Sequence, residues 1–199
     1  MHSDAFISGK ASLRWPFLFL LWIVPVMVPP LHAREMEIIS HGDSGEYISR
    51  IQFNAAELER VWETAEAFAS RLKFPEKVDN RADIDDLKQT INARFGFYLY
   101  QQTAFLKQVD GVIQAELEII FEGDRVTAAV RNVRFIDYAR DRYGKFSPRS
   151  SKKYALEDLR EKRNDEIWQG HFTTIDENMM MLLSDLEKSI LEINEASNR

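Results

Sequence analysis

The chain reads as an α+β domain of two layers, an antiparallel sheet with two main helices packed on one face. Three observations predict this. Segments alternating at period two recur through the middle of the sequence, and two of them, Ile113–Phe121 and Arg125–Tyr138, flank a Gly123-Asp124 turn as an antiparallel hairpin. A helical stripe lies before this region and another after it, each apolar on a single side. One-sided helices and a one-sided sheet bury each other best when both helices share a face.

The elements follow in order. Glu46–Phe53 places Tyr47, Ile51 and Phe53 on one side and reads as a strand. Asn54, with Glu57 three residues on, forms a capping box with Asn as the cap, and opens a helix to about Lys73. Leu58, Val61, Trp62, Ala65, Phe68, Ala69 and Leu72 make its stripe. Burying that stripe contributes about 10 kcal/mol before conformational entropy is subtracted. Pro75–Thr90 is polar and acid-rich, and reads as a loop or a short helix crossing the surface. Ala93–Tyr100 is a strand with Phe95, Phe97 and Leu99 on one face and Arg94, Tyr98 and Tyr100 on the other, where Gly96 leaves a bare spot.

Ile113, Ala115, Leu117, Ile119 and Phe121 share a face opposite Gln114, Glu116 and Glu118. On the return strand Val126, Ala128 and Val130 keep one phase, and Val133 and Phe135 take the other. A switch near Asn132 predicts a β-bulge. Ala139–Lys153 holds six basic residues against one acid, and Gly144 and Pro148 make it a loop. Tyr154–Trp168 reads as a short charged helix. The closing helix opens at Thr174 with Glu177 as a second capping box, and its stripe is Ile175, Met179, Leu182, Leu183, Leu186, Ile190 and Ile193. Met181 points away from that stripe. The expected organisation is a leader over 1–33, a loose start over 34–45, one α+β domain over 46–194 and a frayed tail over 195–199.

The capped helix Asn54–Leu72, the hairpin VIQAELEIIFEGDRVTAAVRNVRFIDY (Val112–Tyr138) and the closing helix after Thr174 together resemble the exported bacterial domains called DUF4468. Gly123–Phe135 matches that family's second hairpin strand most closely, and the resemblance spans about Ile48–Ile190. It implies a TBP-like fold, with a curved antiparallel sheet and helices on one side, and a location in the cell envelope. The shared motifs are patterns rather than catalytic residues, so the resemblance carries no functional residue to this chain.

The first residues carry Lys10 and Arg14 against Asp4, and Trp15–Val28 is apolar throughout. Pro29-Pro30 ends the run, and Ala33 offers a small residue to a signal peptidase. This pattern predicts an export signal cleaved after Ala33 and a periplasmic or cell-envelope protein. A retained anchor is the competing reading, but a spanning helix needs about 20 apolar residues, and Pro16 and Pro25 interrupt this shorter run. The chain has no Cys, which excludes lipoprotein attachment after the run and disulfide staples. The net charge is −6, and the leader contributes +1, so Arg34–Arg199 carries −7. Such a domain is a poor match to a phosphate backbone.

Several motifs touch known chemistry and lack its remaining parts. Gly42-Asp43-Ser44-Gly45 resembles the segment around the nucleophile of trypsin-like proteases, yet the two-barrel scaffold that would hold its base and oxyanion hole is missing, and a turn before the first strand explains it. His41 and His171 are the only histidines after the leader, and no HxxxH, HxH or CxxC occurs, so no metal site is expected. Asp79–Asp86 lacks the Gly and the closing Glu of a calcium loop. Arg94–Tyr100 superficially resembles the RNA-binding strand of RRM domains. It lacks the Gly that would turn Phe95 and Phe97 to the exposed face.

Two surfaces remain as candidates. One is the basic segment with Arg140, Arg149, Lys152 and Lys153, which would contact an anionic envelope component or a partner's acidic face, or else pair with the acidic helix after it. The other is the face of Arg94, Tyr98 and Tyr100, a binding or homodimer surface unless the closing helix or a loop covers it. The expected function is an exported, non-catalytic binding or interaction module of the bacterial envelope, with an unknown envelope protein or small ligand as partner. No nucleic acid, cofactor, metal or membrane span after cleavage is expected. The alternative is a hydrolase-like envelope enzyme with an unrecognised site.

Overall fold

Period-two alternation in the sequence becomes strand pairing in the computed structural model, which describes residues 45–75, 82–102 and 107–197. The leader with its cleavage site, His41, Gly42–Ser44 of the protease-like motif and the start of the acid run at Asp79 lie outside the described residues. The elements are β1 (Tyr47–Gln52), α1 (Leu58–Arg71, entered through a 3-10 turn at Ala55–Glu57), β2 (Asp83–Asp85), β3 (Thr90–Gln102), β4 (Lys107–Glu122), β5 (Arg125–Arg140), β6 (Phe146–Ala155), α2 (Leu156–Lys162) and α3 (Glu166–Ser197). The six strands form one antiparallel sheet in the order β1-β5-β4-β3-β2, with β6 also beside β5. The predicted α+β fold is therefore found.

Both ends of β5 are used on the same edge. Its first half pairs with β1 along Arg125–Val130, and its second half with β6 along Arg134–Arg140. The bulge expected near Asn132 lies between these halves. Gln114 pairs with Arg134 and Glu116 with Arg131, so Asn132 and Val133 together oppose Ala115. Asn132 takes φ 53°, a left-handed conformation that Asn tolerates, and its amide donates to Glu116 Oε2 at 2.6 Å. The extra residue keeps Val126, Ala128, Val130, Val133 and Phe135 all buried in one core.

The helices cover that same face. Asn54 Oδ1 accepts the Ala56 N–H at 3.1 Å, which satisfies one of the free donors at the helix start. Val61, Ala65, Phe68 and Ala69 are buried, and Trp62 lies 4.8 Å from the Phe121 ring. On α3 the buried stripe is Trp168, Phe172, Ile175, Met179, Leu183, Leu186 and Ile190. Met179 belongs to it and Met181 is exposed, as the spacing predicts. Gly96 needs its bareness: a side chain there would meet the Ile113 carbonyl and the Phe74 ring.

Four expectations are corrected. Part of Pro75–Thr90 is a strand, β2, antiparallel to β3, and three residues are too few to show alternation. Ala139–Lys153 is the end of β5, a tight turn and most of β6, not a loop. β6 is an edge strand exposed through most of its length, so no apolar phase marks it, and an edge tolerates Pro148. The closing helix begins at Glu166, well before Thr174. Asp165 Oδ1 accepts the Trp168 N–H at 3.1 Å and acts as the cap, while the Thr174 hydroxyl donates to the Gly170 carbonyl at 2.9 Å from inside the helix. Tyr154 and Ala155 finish β6, and the short charged helix is α2 alone.

Gly170 sits exposed within α3, and nothing lies within 4 Å of an added Cβ. Gly170→Ala is expected to stabilise the fold by about 0.5–1 kcal/mol, because alanine loses less backbone entropy in a helix. A thermal melt with an unchanged or lower midpoint would contradict this.

Candidate functional site

The helix-free face of the sheet sorts its chemistry along the strands. Its middle is a charge ladder. Arg94 Nε lies 3.3 Å from Glu116 Oε1, and Arg131 Nη1 lies 2.5 Å from Glu118 Oε2 while its Nε bonds Glu46. Glu116 and Glu118 thus have cationic partners on neighbouring strands. Exposed pairs of this kind each contribute little to stability, about 0–1 kcal/mol. Where β1 and β6 approach along β5, a notch of about 290 Å³ is lined by Glu46, Arg131, Asn132, Val133, Arg134 and Glu157, charges of both signs.

The far end of that face is aromatic. Val112, Ile136 and Tyr138 form a small buried cluster of their own, with Tyr98, Val109 and Phe146 packed on it. The Tyr98 ring meets Tyr138 edge-on at 6.2 Å and lies 6.3 Å from Tyr100, which is 44% exposed. The sidedness expected for Tyr98 and Tyr100 is correct. Their partial cover comes from this cluster rather than from the closing helix, which lies across the sheet.

The basic segment borders the same end. Lys153 pairs in register with Ile136, and its Nζ donates to Gln114 Oε1 at 2.7 Å. Arg140 pairs with Phe146, and its Nε donates to the Gly144 carbonyl at 3.3 Å. Ile136 pairs with Lys153 and Tyr138 with Pro148, so residues 149–152 bulge opposite Asp137 alone. Within this excursion Arg149 Nε lies 3.6 Å from Asp137 Oδ1, and Lys152 Nζ sits 4.8 Å over the Tyr154 ring. Tyr98, Tyr100, Arg140 and Lys153 therefore converge at one end of the sheet, with Arg149 and Lys152 on its edge. Arg94 belongs to the charge ladder instead.

A second feature of this end was not read from the sequence. Leu99 pairs with Gly111 and Tyr100 with Val109, so Asp110 is an extra residue in β4. This bulge turns its carboxylate to the helix side, where Asp110 Oδ2 lies 2.9 Å from His171 Nε2. His171 is 4% exposed, and its ring packs edge-on against Trp168 at 5.3 Å. The His171 hydrogen bond holds the Asp110 carboxyl below the usual carboxylate range. Partial burial opposes this, and Arg149 and Arg163 assist it. The signal available in the sequence was His171 standing three residues after Trp168 and four before Ile175, inside the apolar stripe of α3.

A third polar tie fastens β1 to the helices. The Tyr47 hydroxyl donates to Asp176, whose Oδ1 also lies 2.5 Å from Arg160 Nη2. Burial first, then the Asp176 contact, pushes the Tyr47 hydroxyl above the ordinary phenol range, and Arg160 opposes the shift. Among the described residues no group of three or more His, Cys, Asp or Glu is placed to hold a metal ion, and no helix is long and apolar enough to cross a membrane.

Two solved structures are similar to this chain. One is a DUF4468 family protein from Bacteroides ovatus, at 15% identity over 71% of this chain and 85% of that one, with a TM-score of 0.49. The other is a TBP-like protein from Parabacteroides distasonis, at 15% identity over 72% and 92%, with a TM-score of 0.47. No protein-family model and no curated protein matches the chain. The family that the capped helix and the Gly123–Phe135 strand resemble is thus among the structural neighbours, and the likeness brings no residue role with it.

Proposed function

We propose that this protein is an exported, non-catalytic binding module of the bacterial envelope, and that its partner or ligand docks on the tyrosine- and base-rich end of the helix-free face. The observation that carries this reading is the convergence of Tyr98, Tyr100, Arg140 and Lys153 there, in a domain whose overall charge is negative. Export follows from the leader pattern over 1–33.

Reversing Arg149, Lys152 and Lys153 together to Glu is expected to abolish association with the partner, because the local field changes sign. The melting temperature should stay within about two degrees, since these exposed charges hold little stability. In the same assay Tyr100→Ser should weaken association without a melting change, whereas Tyr98→Ser should cost about 1–2 kcal/mol because Tyr98 packs on Tyr138. Unaltered association in all three variants would exclude this surface.

The alternative, a hydrolase-like envelope enzyme, draws support from one observation. A carboxylate that holds an imidazole is the orienting half of an acid–base pair. The burial of His171 weighs against that use. Hydrolysis of a generic ester or glycoside that disappears in a folded His171→Gln variant would favour the enzyme.

A further inference from the structure

The turn between β5 and β6 is built to project Arg142, Tyr143 and Lys145 beside Arg140. Asp141 is the one acid of the 139–153 segment, and one oxygen of its carboxylate is used inside the turn. Asp141 Oδ1 accepts the N–H groups of both Tyr143 and Lys145 at 2.8 Å. The Asp141 N–H donates to the Lys145 carbonyl at 2.8 Å, and the Gly144 N–H to the Asp141 carbonyl at 3.0 Å. Gly144 takes φ 80°, which a glycine permits, and Arg140 reaches across to its carbonyl. These bonds brace the tip, and one oxygen of the exposed Asp141 carboxylate is turned into it.

Tyr143 stands at this tip, 78% exposed, with the Arg142 guanidinium 4.8 Å from its ring centre. Lys145 and Arg140 flank it, and both are exposed. An aromatic ring this exposed, with one guanidinium against it, has no packing role in the domain. Charge adds direction. Residues 139–153 carry +5 while Arg34–Arg199 carries −7, so the remainder carries −12. Such a molecule approaches an anionic surface with this hairpin first and its acidic body held away.

We propose that the β5–β6 tip is a membrane-contacting element: Tyr143 enters the headgroup layer of an anionic phospholipid surface while Arg140, Arg142 and Lys145 bind the lipid phosphates. Tyrosine suits that depth because its ring is apolar and its hydroxyl is wet. Each basic side chain near an anionic leaflet adds a several-fold increase in affinity that falls off within a Debye length. The element would hold the domain at the envelope surface on which the proposed binding module works, and the inference rests on that reading.

The test is co-sedimentation of the protein, purified from the envelope fraction of its own cells, with vesicles. One set holds phosphatidylglycerol and phosphatidylethanolamine, the other phosphatidylcholine alone. Wild type is compared with the triple variant R142E/Y143S/K145E and with K73E/K188E, which makes the same charge change at exposed lysines elsewhere. Any contribution of the leader is common to all three proteins. Wild type and K73E/K188E should bind the anionic vesicles, and the triple variant should bind them about tenfold more weakly or worse. Binding should also weaken steeply with salt. Equal binding by wild type and the triple variant, equal binding to neutral vesicles, or no binding by wild type would each overturn the proposal. If vesicles are ignored but an acidic protein partner is still lost on reversing Arg149, Lys152 and Lys153, the lipid inference falls and the binding-module reading stands. If that partner is also unaffected, both fall.

Discussion

Gly111→Ala is expected to lower the free energy of unfolding by about 3 kcal/mol at an unchanged denaturant slope. Gly111 pairs with Leu99 on one side and Asp137 on the other, in the middle of the sheet. A Cβ there would overlap the Phe135 ring and the Ile136 carbonyl. Neither can retreat cheaply. Phe135 is buried, with Trp168 edge-on at 5.0 Å and Tyr154 at 6.4 Å, and the Ile136 carbonyl belongs to the sheet backbone. A methyl group therefore forces either the ring out of its packing or the ladder apart. Gly123 makes the contrast, because its added Cβ meets nothing within 4 Å and only its φ of 65° opposes alanine, at about 1 kcal/mol. A urea titration in which Gly111→Ala is no less stable than Gly123→Ala would show that the β4 bulge is looser than described.

Asp110→Ala is expected to cost about 2–3 kcal/mol near neutral pH. It leaves the buried His171 ring nitrogen without its acceptor, and an unmet buried polar group bears its full desolvation penalty. The pH dependence has a definite sign. The folded Asp110 carboxyl lies below its ordinary value of 3.8, so its contribution is fully present above that value and is lost as pH falls through the lower folded one. Wild type should accordingly lose stability more steeply than Asp110→Asn as the pH falls below 3.8. Parallel pH profiles for the two proteins would mean that the pair is not coupled to folding.

The parts of the fold that were legible share one physical cause, a one-sided burial pattern. The stripe of α1, the alternation of Ile113–Phe121 and the phase switch at Asn132 all record which side of an element meets the core. Where burial is absent or two-sided the record fades. β6 is exposed along most of its length and paired to β5 through an irregular register, so its composition read as a loop. β2 is too short to alternate. The start of α3 was misplaced because Thr174 and Glu177 have capping-box spacing, while the working cap is Asp165, one residue before the helix. The Asp110–His171 pair needs a bulge that brings residues 61 apart in sequence together, and local pattern does not encode such a contact. Tyr143 lies in a segment whose composition is basic and turn-forming, and its exposure at a braced tip depends on the hydrogen bonds Asp141 makes across the turn, which composition does not encode.

Native mass spectrometry of the protein from the envelope fraction of its own cells tests the binding-module reading most directly, with the Arg149/Lys152/Lys153 reversal measured beside it. The account predicts a wild-type mass starting at Arg34 that carries a retained partner or ligand, and a variant chain with the same start that carries none. A wild-type protein that still contains Trp15–Val28, or one whose retained species survives the charge reversal, would contradict it.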